Sequence, residues 1–353
     1  MSSLRKLKAL VLGHNTDMDQ TTTELQAAAI PVSTVDCRSC ANPCDEGSTW
    51  IWKRRCLALS SHITGRPQVV ISTGKSDWER DVTEVPGTLA AYLLAARGEA
   101  PKPSSPTAST VGSAKTVPGV FNPAESSKVS VLNASHHTIC DDIKRETVLV
   151  FPDYKVVTEV ERSLDGARTL WKSHVDPSLG RTGAGLEGSG LRSYVLPYAC
   201  VIMLCSHKKR DNRCAIAAPK LENALTHALE REEWEVHTQV DDPTLAGGPL
   251  EELQGSDEER DAELLRRLRT LDVKQSSHKR ALIVRVSHIG GHKFAGNVII
   301  NTPQGVSVWY GRVTPHEVPS IVKETIIGGK VLPALLRGGL NLSKPRGTDL
   351  HDW

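Results

Sequence analysis

The sequence predicts an α/β fold. Strand-sized apolar runs alternate with segments of helical spacing, and a length of 353 residues suggests two domains. Hydrophobic residues make up 39% and charged residues 24%, a balance that supports a buried core and excludes disorder throughout.

Taken in order, Leu7 to Gly13 is a strand and Glu24 to Ala29 lies in a helix. Gln68 to Thr73 is a second strand, closed by Gly74, and Thr88 to Ala96 has the composition of a short helix. From 101 to 128 the chain is Pro, Ser, Thr, Gly and Ala with hardly a large apolar residue, so a loop without regular structure is expected. Val129 to Asn133 and Thr147 to Phe151 read as buried strands, and Val156 to Leu170 as a helix. The stretch Gly180 to Gly190 holds five glycines but lacks the Lys-Ser/Thr ending of a phosphate loop, and reads as a hinge between domains.

Tyr198 to Leu204 is an apolar strand followed by a basic loop. Pro219 is expected at the first position of a helix whose buried face is Leu221, Leu225, Ala228 and Leu229. The strongly charged, partly amphipathic segment Asp241 to Asp272 is expected to be a solvated excursion, with a partner-binding helix as the alternative. Ala281 to Val286 is a strand, and Val298 to Ile300 with Val306 to Tyr310 forms a hairpin. Thr314-Pro315-His316-Glu317 caps a helix that runs to Ile327 and stops at Gly328-Gly329. Strand, helix, insertion, strand, two hairpin strands and helix is the order of a thioredoxin-like unit. The expected division is an N-terminal α/β domain over 1–190, a thioredoxin-like domain over 191–345 with its charged insertion at 241–272, and a tail over 346–353.

Lys and Arg number 43 against 41 Asp and Glu, so a formal charge of +2 provides no global attraction for nucleic acid or anionic lipid. No apolar run is long enough to span a membrane. The N-terminus has neither the apolar core of a signal peptide nor an extended Arg-rich leader, so a cytoplasmic protein is expected, with a mitochondrial one as the alternative. Eight cysteines, five of them in two short clusters, do not resemble an extracellular disulfide framework and point to metal or redox work.

The candidate chemistry lies at strand ends. Cys205 and Cys214 have eight residues between them, His288 and His292 have three, and each pair follows a predicted strand. Gly290 and Gly291 argue against a helical His pair and for a loop that approaches a metal centre closely. Two Cys and two His can hold zinc or a [2Fe-2S] cluster. Structural zinc sites usually place about two to four residues between paired cysteines, so the wider loop favours the larger centre. The plain alternative is a buried strand-end thiol at Cys205 with surface histidines. Lys208, Lys209, Arg210 and Arg213, between the two cysteines, either favour a reduced, more negative cluster, or dock an acidic redox partner, or are an exposed basic loop. Cys37, Cys40 and Cys44 are spaced as redox thiols or metal ligands, with Cys56 and His62 as possible further ligands, or are structural. His136, His137 and Cys140 could look like another metal group, but adjacent histidines rarely chelate together, and a surface loop is expected.

The segments Leu204-Cys205-Ser206-His207, Arg210 to Cys214, Ala218-Pro219, Ser287 to Asn297 and Trp309 to Pro315 together resemble the sucrase/ferredoxin-like family. Asp36-Cys37 through Gly47 and Ser72 to Glu79 are also similar to it, so the resemblance spans most of the chain. It implies a thioredoxin-like ferredoxin domain with one [2Fe-2S] cluster on Cys205, Cys214, His288 and His292. Ser48 to Ser61, with Trp50, Trp52 and Lys53-Arg54-Arg55, departs from the acidic, Tyr- and Phe-containing stretch that the family leads one to expect. No acidic pair in a glycosidase context supports sucrose hydrolysis. An electron carrier is therefore expected, served by a separate reductase and acceptor because flavin and nicotinamide fingerprints are missing. The other classes are a thiol-disulfide oxidoreductase using Cys37 and Cys40 and a zinc-stabilised interaction module. Asp352-Trp353 resembles the tail by which cytosolic iron-sulfur assembly machinery recognises its clients.

Overall fold

Runs of Val, Ile and Leu form buried strands where both faces of a sheet are covered. The computed structural model describes residues 15–35, 67–99, 120–121, 129–176, 179–184, 189–276, 279–290 and 294–353. Its strands are β1 Gln68–Ser72, β2 Val120–Phe121, β3 Ser130–Ala134, β4 Arg145–Phe151, β5 Lys155–Glu161 and β6 Arg192–Val195. They continue with β7 Cys200–Cys205, β8 Glu235–His237, β9 Arg280–Val286, β10 Val298–Asn301, β11 Ser307–Tyr310 and β12 Leu336–Leu340. All twelve belong to one mixed sheet in the order β2-β12-β11-β10-β7-β9-β3-β1-β4-β5-β6, with β8 on β9. The α/β class is as predicted.

The helices are α1 Asn15–Ala27, α2 Leu89–Glu99, α3 Leu164–Leu170, α4 Asn212–Arg231, α5 Asp257–Arg269 and α6 Val318–Ser320. Wider π turns prolong α3 over Trp171–Val175 and α6 over Ile321–Ile327. Alternation along β7 sends Ile202 and Leu204 into a core shared with Leu221 and Leu225 of α4, and Val201 and Met203 into a second core on the other face. That second core also holds Val70 and Leu149, so it runs beneath both halves of the sheet. A third core, with Val69 and Ile71 of β1, is covered by Leu89 and Leu93 of α2 and Leu170 of α3.

Several expectations are corrected. Val156 to Leu170 is not one helix: β-branched Val156 and Val157 lie in β5 opposite Leu149 and Val148, where branched side chains pack well. The helix begins only after Ser163, whose hydroxyl accepts from the Gly166 amide at 3.0 Å. Pro219 lies inside α4, because Asp211 caps the helix much earlier through the Arg213 amide. The charged segment 241–272 is docked, with Leu250, Leu264 and Leu268 buried in the second core. Within the expected loop, Val120–Phe121 pairs with β12, whereas 101–119 and 122–128 lie outside the described residues, as does the expected strand 7–13.

His136 is fully buried rather than on a surface loop, although His137 is exposed. Desolvation lowers its pKa from 6.5 to about 4, with the Thr147 backbone opposing and His137 adding to the shift. The unfolded chain takes up a proton below pH 6.5 that the folded chain refuses until about pH 4, so this contribution to stability is present above that window and lost as pH falls through it. Between pH 7 and pH 5 the parent should lose about 2 kcal/mol more than His136→Phe, measured by urea unfolding. Equal losses would contradict the neutral, buried state.

Candidate metal centre

Parallel strands β7 and β9 are paired so that Cys205 lies opposite Val286, and the segments leaving their carboxyl ends emerge together. The first has Cys205 at its root and, beginning α4 after the Asp211 cap, places Cys214 in the first helical turn. The second starts Ser287-His288. Cys205 and Cys214 are both buried and cluster with Ala295, with Ile289 packed against them.

Cys205 is hydrogen-bonded by the Cys214 and His288 side chains and the Ile289 backbone. These contacts, led by the Cys214 thiol, hold Cys205 well below the ordinary thiol range although burial opposes them. The shared proton stays on Cys214, whose pKa is raised by the Cys205 thiolate and by burial. Cys200, at the other end of the same strand, provides the contrast: burial alone pushes its thiol up. Cys205 is therefore disposed toward the thiolate that binds soft metals, which a plain strand-end cysteine is not.

Sequence reasoning missed Arg337 in β12. It is 1% exposed; burial lowers its pKa to about 10, while the charge on Cys205 opposes that shift. Its Nη1 donates to Asn297 Oδ1, and its guanidinium lies 4.5 Å from the Phe294 ring centroid, while Nε and Nη2 are buried without a hydrogen-bond partner. The Asn297 backbone carbonyl accepts from the Cys205 amide at 3.2 Å. Gly311 leaves the room: a Cβ there would meet the Arg337 side chain. A fully buried cation with two unpaired donors beside two thiols fits a centre that gains negative charge. The available sequence signal was an arginine within the apolar run Leu335-Leu336-Arg337-Gly338-Gly339-Leu340.

The basic loop is tied down within the chain at several points, although Lys208 is exposed. Ser206 Oγ donates to the Ser76 carbonyl at 3.1 Å, His207 Nε2 to the Trp78 carbonyl at 2.9 Å, and the Lys208 amide to Asp77 Oδ1 at 2.9 Å. Lys209 pairs with Glu79, Arg210 with Asp81 at 2.6 Å and Arg213 with Asp211 at 2.7 Å. The acidic segment that meets this loop is thus the chain's own 77–81, whose first three residues end the Ser72 to Glu79 motif.

The structure brings three of the four expected ligands together; His292 lies outside the described residues, as do Cys37, Cys40, Cys44, Cys56 and His62. Among the described residues no group of three or more His, Cys, Asp or Glu side chains is arranged to hold a metal ion. The donor chemistry of Cys205, Cys214 and His288 nevertheless fits a soft centre, and Arg337 fits its charge. The tail packs down elsewhere. Leu350 and His351 are buried, Asp352 accepts from Lys274 Nζ at 3.0 Å, and the Trp353 indole, 42% exposed, donates to Asp272 Oδ2 at 3.0 Å. No helix among the described residues is long and apolar enough to cross a membrane.

A sucrase/ferredoxin-like family model matches residues 60–338. Altered inheritance of mitochondria protein 32 of Clavispora lusitaniae is 30% identical over 138 residues, covering 39% of this chain and 34% of that protein. The protein of the same name from Debaryomyces hansenii is 31% identical over 140 residues, covering 39% and 35%. Actin patches distal protein 1 of Saccharomyces cerevisiae is 26% identical over 278 residues, covering 76% of this chain and 71% of that protein. The chain thus spans about a third of the length of these two mitochondrial-inheritance relatives. No solved structure matches it.

Proposed function

The chain belongs to the sucrase/ferredoxin-like family, and on that premise we propose that it is an electron-transfer protein holding one [2Fe-2S] cluster on Cys205, Cys214, His288 and His292. The observation that supports this most is the convergence of Cys205, Cys214 and His288 at the ends of two neighbouring strands, with Cys205 disposed toward the thiolate. A cluster bound by two neutral imidazoles and two thiolates supplies one-electron transfer at a potential raised from roughly −400 mV toward about −150 mV or higher.

The chain's own residues set the rest. Arg337 favours added negative charge at the site. With such a cluster bound, the second ring nitrogen of His288 and of His292 would be the place where a proton is held or given up, which would couple proton and electron transfer. The midpoint potential is therefore expected to fall as the pH rises on the alkaline side, measured by protein voltammetry. A potential that stays flat from neutral pH upward contradicts the coupling, and no redox wave at all contradicts the function.

Electrons come from a separate reductase and pass to a separate acceptor. Asp352-Trp353 is the segment proposed for recognition by the cytosolic iron-sulfur assembly machinery; the partly exposed Trp353 ring leaves it a face to present. On this reading the protein works in the cytosol, and the mitochondrial-inheritance names of its relatives supply the mitochondrial alternative.

A further inference from the structure

The central strands of the sheet read β11-β10-β7-β9 on one side and β3-β1-β4-β5 on the other, which is the same arrangement in reverse. In each half the first strand runs parallel to the second, antiparallel to the third, and the third and fourth are antiparallel neighbours. A helix follows the first strand and another follows the fourth in both. The halves meet at the carboxyl ends of β3 and β9, where Ala134 pairs with Val286.

The hydrogen bonds at that seam have local two-fold symmetry. The Asn133 amide donates to Ser287 Oγ at 3.1 Å and the Ser287 amide to the Asn133 carbonyl at 2.8 Å. Across the axis the Arg285 amide donates to Ser135 Oγ at 3.1 Å and the Ser135 amide to the Arg285 carbonyl at 2.9 Å. Just beyond, the Thr73 amide donates to the Ala134 carbonyl at 3.1 Å and the Ser206 amide to the Val286 carbonyl at 3.0 Å.

Strand register then fixes which residues correspond. Ser72 pairs with Ala134 as Cys205 pairs with Val286. Counting outward from those pairs, Asp81 stands where Cys214 stands, His136 where His288 stands, and Cys140 where His292 stands in the sequence. We propose that the chain is an internal duplication whose N-terminal half carries a second, disabled metal frame at Ser72, Asp81, His136 and Cys140. The identification of these positions as a ligand frame rests on the cluster reading given above.

Two of the four positions retain a Cys or a His. His136 is fully buried and neither ring nitrogen makes a well-formed hydrogen bond, while Cys140 is a free, half-buried thiol that accepts from the Glu159 amide at 3.2 Å. The other two have been diverted. Ser72 Oγ donates to buried Glu146 at 2.9 Å, and Asp81 pairs with Arg210 of the opposite ligand loop. The disabled half has become the fixed brace of the active one, since its 73–81 segment supplies the contacts that hold 206–210.

Restoring the thiols tests this. Ser72→Cys/Asp81→Cys in the full chain, kept reduced and titrated with cobalt(II), should bind one more equivalent than the parent, with a new thiolate-to-cobalt charge-transfer band. Adding His136→Phe should remove that extra equivalent. If the double variant loses the parent's circular dichroism, Asp81→Cys alone is titrated, and His136, Cys140 and the single introduced thiol should still take the extra ion more weakly. A folded variant without extra cobalt, or an extra ion indifferent to His136→Phe, overturns the inference. A parent that binds neither cobalt nor iron is a different result and sinks the cluster reading instead.

Discussion

Cys205→Ser should lower bound iron at least tenfold while the chain stays folded. The serine hydroxyl cannot ionise near neutral pH, so the proton now shared with Cys214 has no thiolate to serve, and the contact to His288 loses its anion. Cys200→Ala is the control: it lies on the same strand, five residues away and equally buried, but its thiol is pushed up by burial and holds no such contacts. Its iron content should match the parent's at a modest cost in stability. Metal analysis of both variants after identical purification decides. Full iron in Cys205→Ser, or equal loss in both, would mean that the strand-end thiols are structural.

Arg337→Met should make the centre harder to reduce. A unit charge several ångströms away at an effective dielectric constant near 20 is worth about 2 kcal/mol, so the one-electron potential should fall by on the order of 50 to 100 mV. Arg337→Lys, which keeps the charge, should recover most of the shift. Stability should move the other way or not at all, because Nε and Nη2 are buried without hydrogen-bond partners and their removal relieves desolvation. An unchanged potential with a loss of stability would make Arg337 a packing residue.

The two candidate ligand loops are legible in the sequence because their chemistry is local. Cys205 and His288 each follow directly on an apolar run, and two strands that pair in parallel bring their carboxyl ends together. Arg337 is not legible, because its neighbours Asn297 and Cys205 lie far away in the chain and only the folded sheet brings β12 near them. Val156 to Leu170 reads as one helix because Leu164 to Leu170 is helical, and its spacing extends backward over β-branched residues whose partners, Val148 and Leu149, precede them on β4. Pro219 suggests a helix start by the preference of proline for the first turn, which Asp211, a better cap, overrides. His136 looks like a surface residue beside His137 because the sequence does not show that β3 ends against β9. The duplication is hidden for a related reason: Ser72 and Cys205 share a register but not a chemistry, so the correspondence exists in hydrogen bonds rather than in letters.

The most direct measurement is the iron, acid-labile sulfide and zinc content of anaerobically purified protein, with an absorption spectrum before and after dithionite. About two irons and two sulfides per chain with a bleachable visible spectrum is the result that a single [2Fe-2S] cluster requires. About one zinc and no sulfide, persisting after reconstitution with iron and sulfide, would contradict it and make Cys205, Cys214 and His288 part of a structural zinc site.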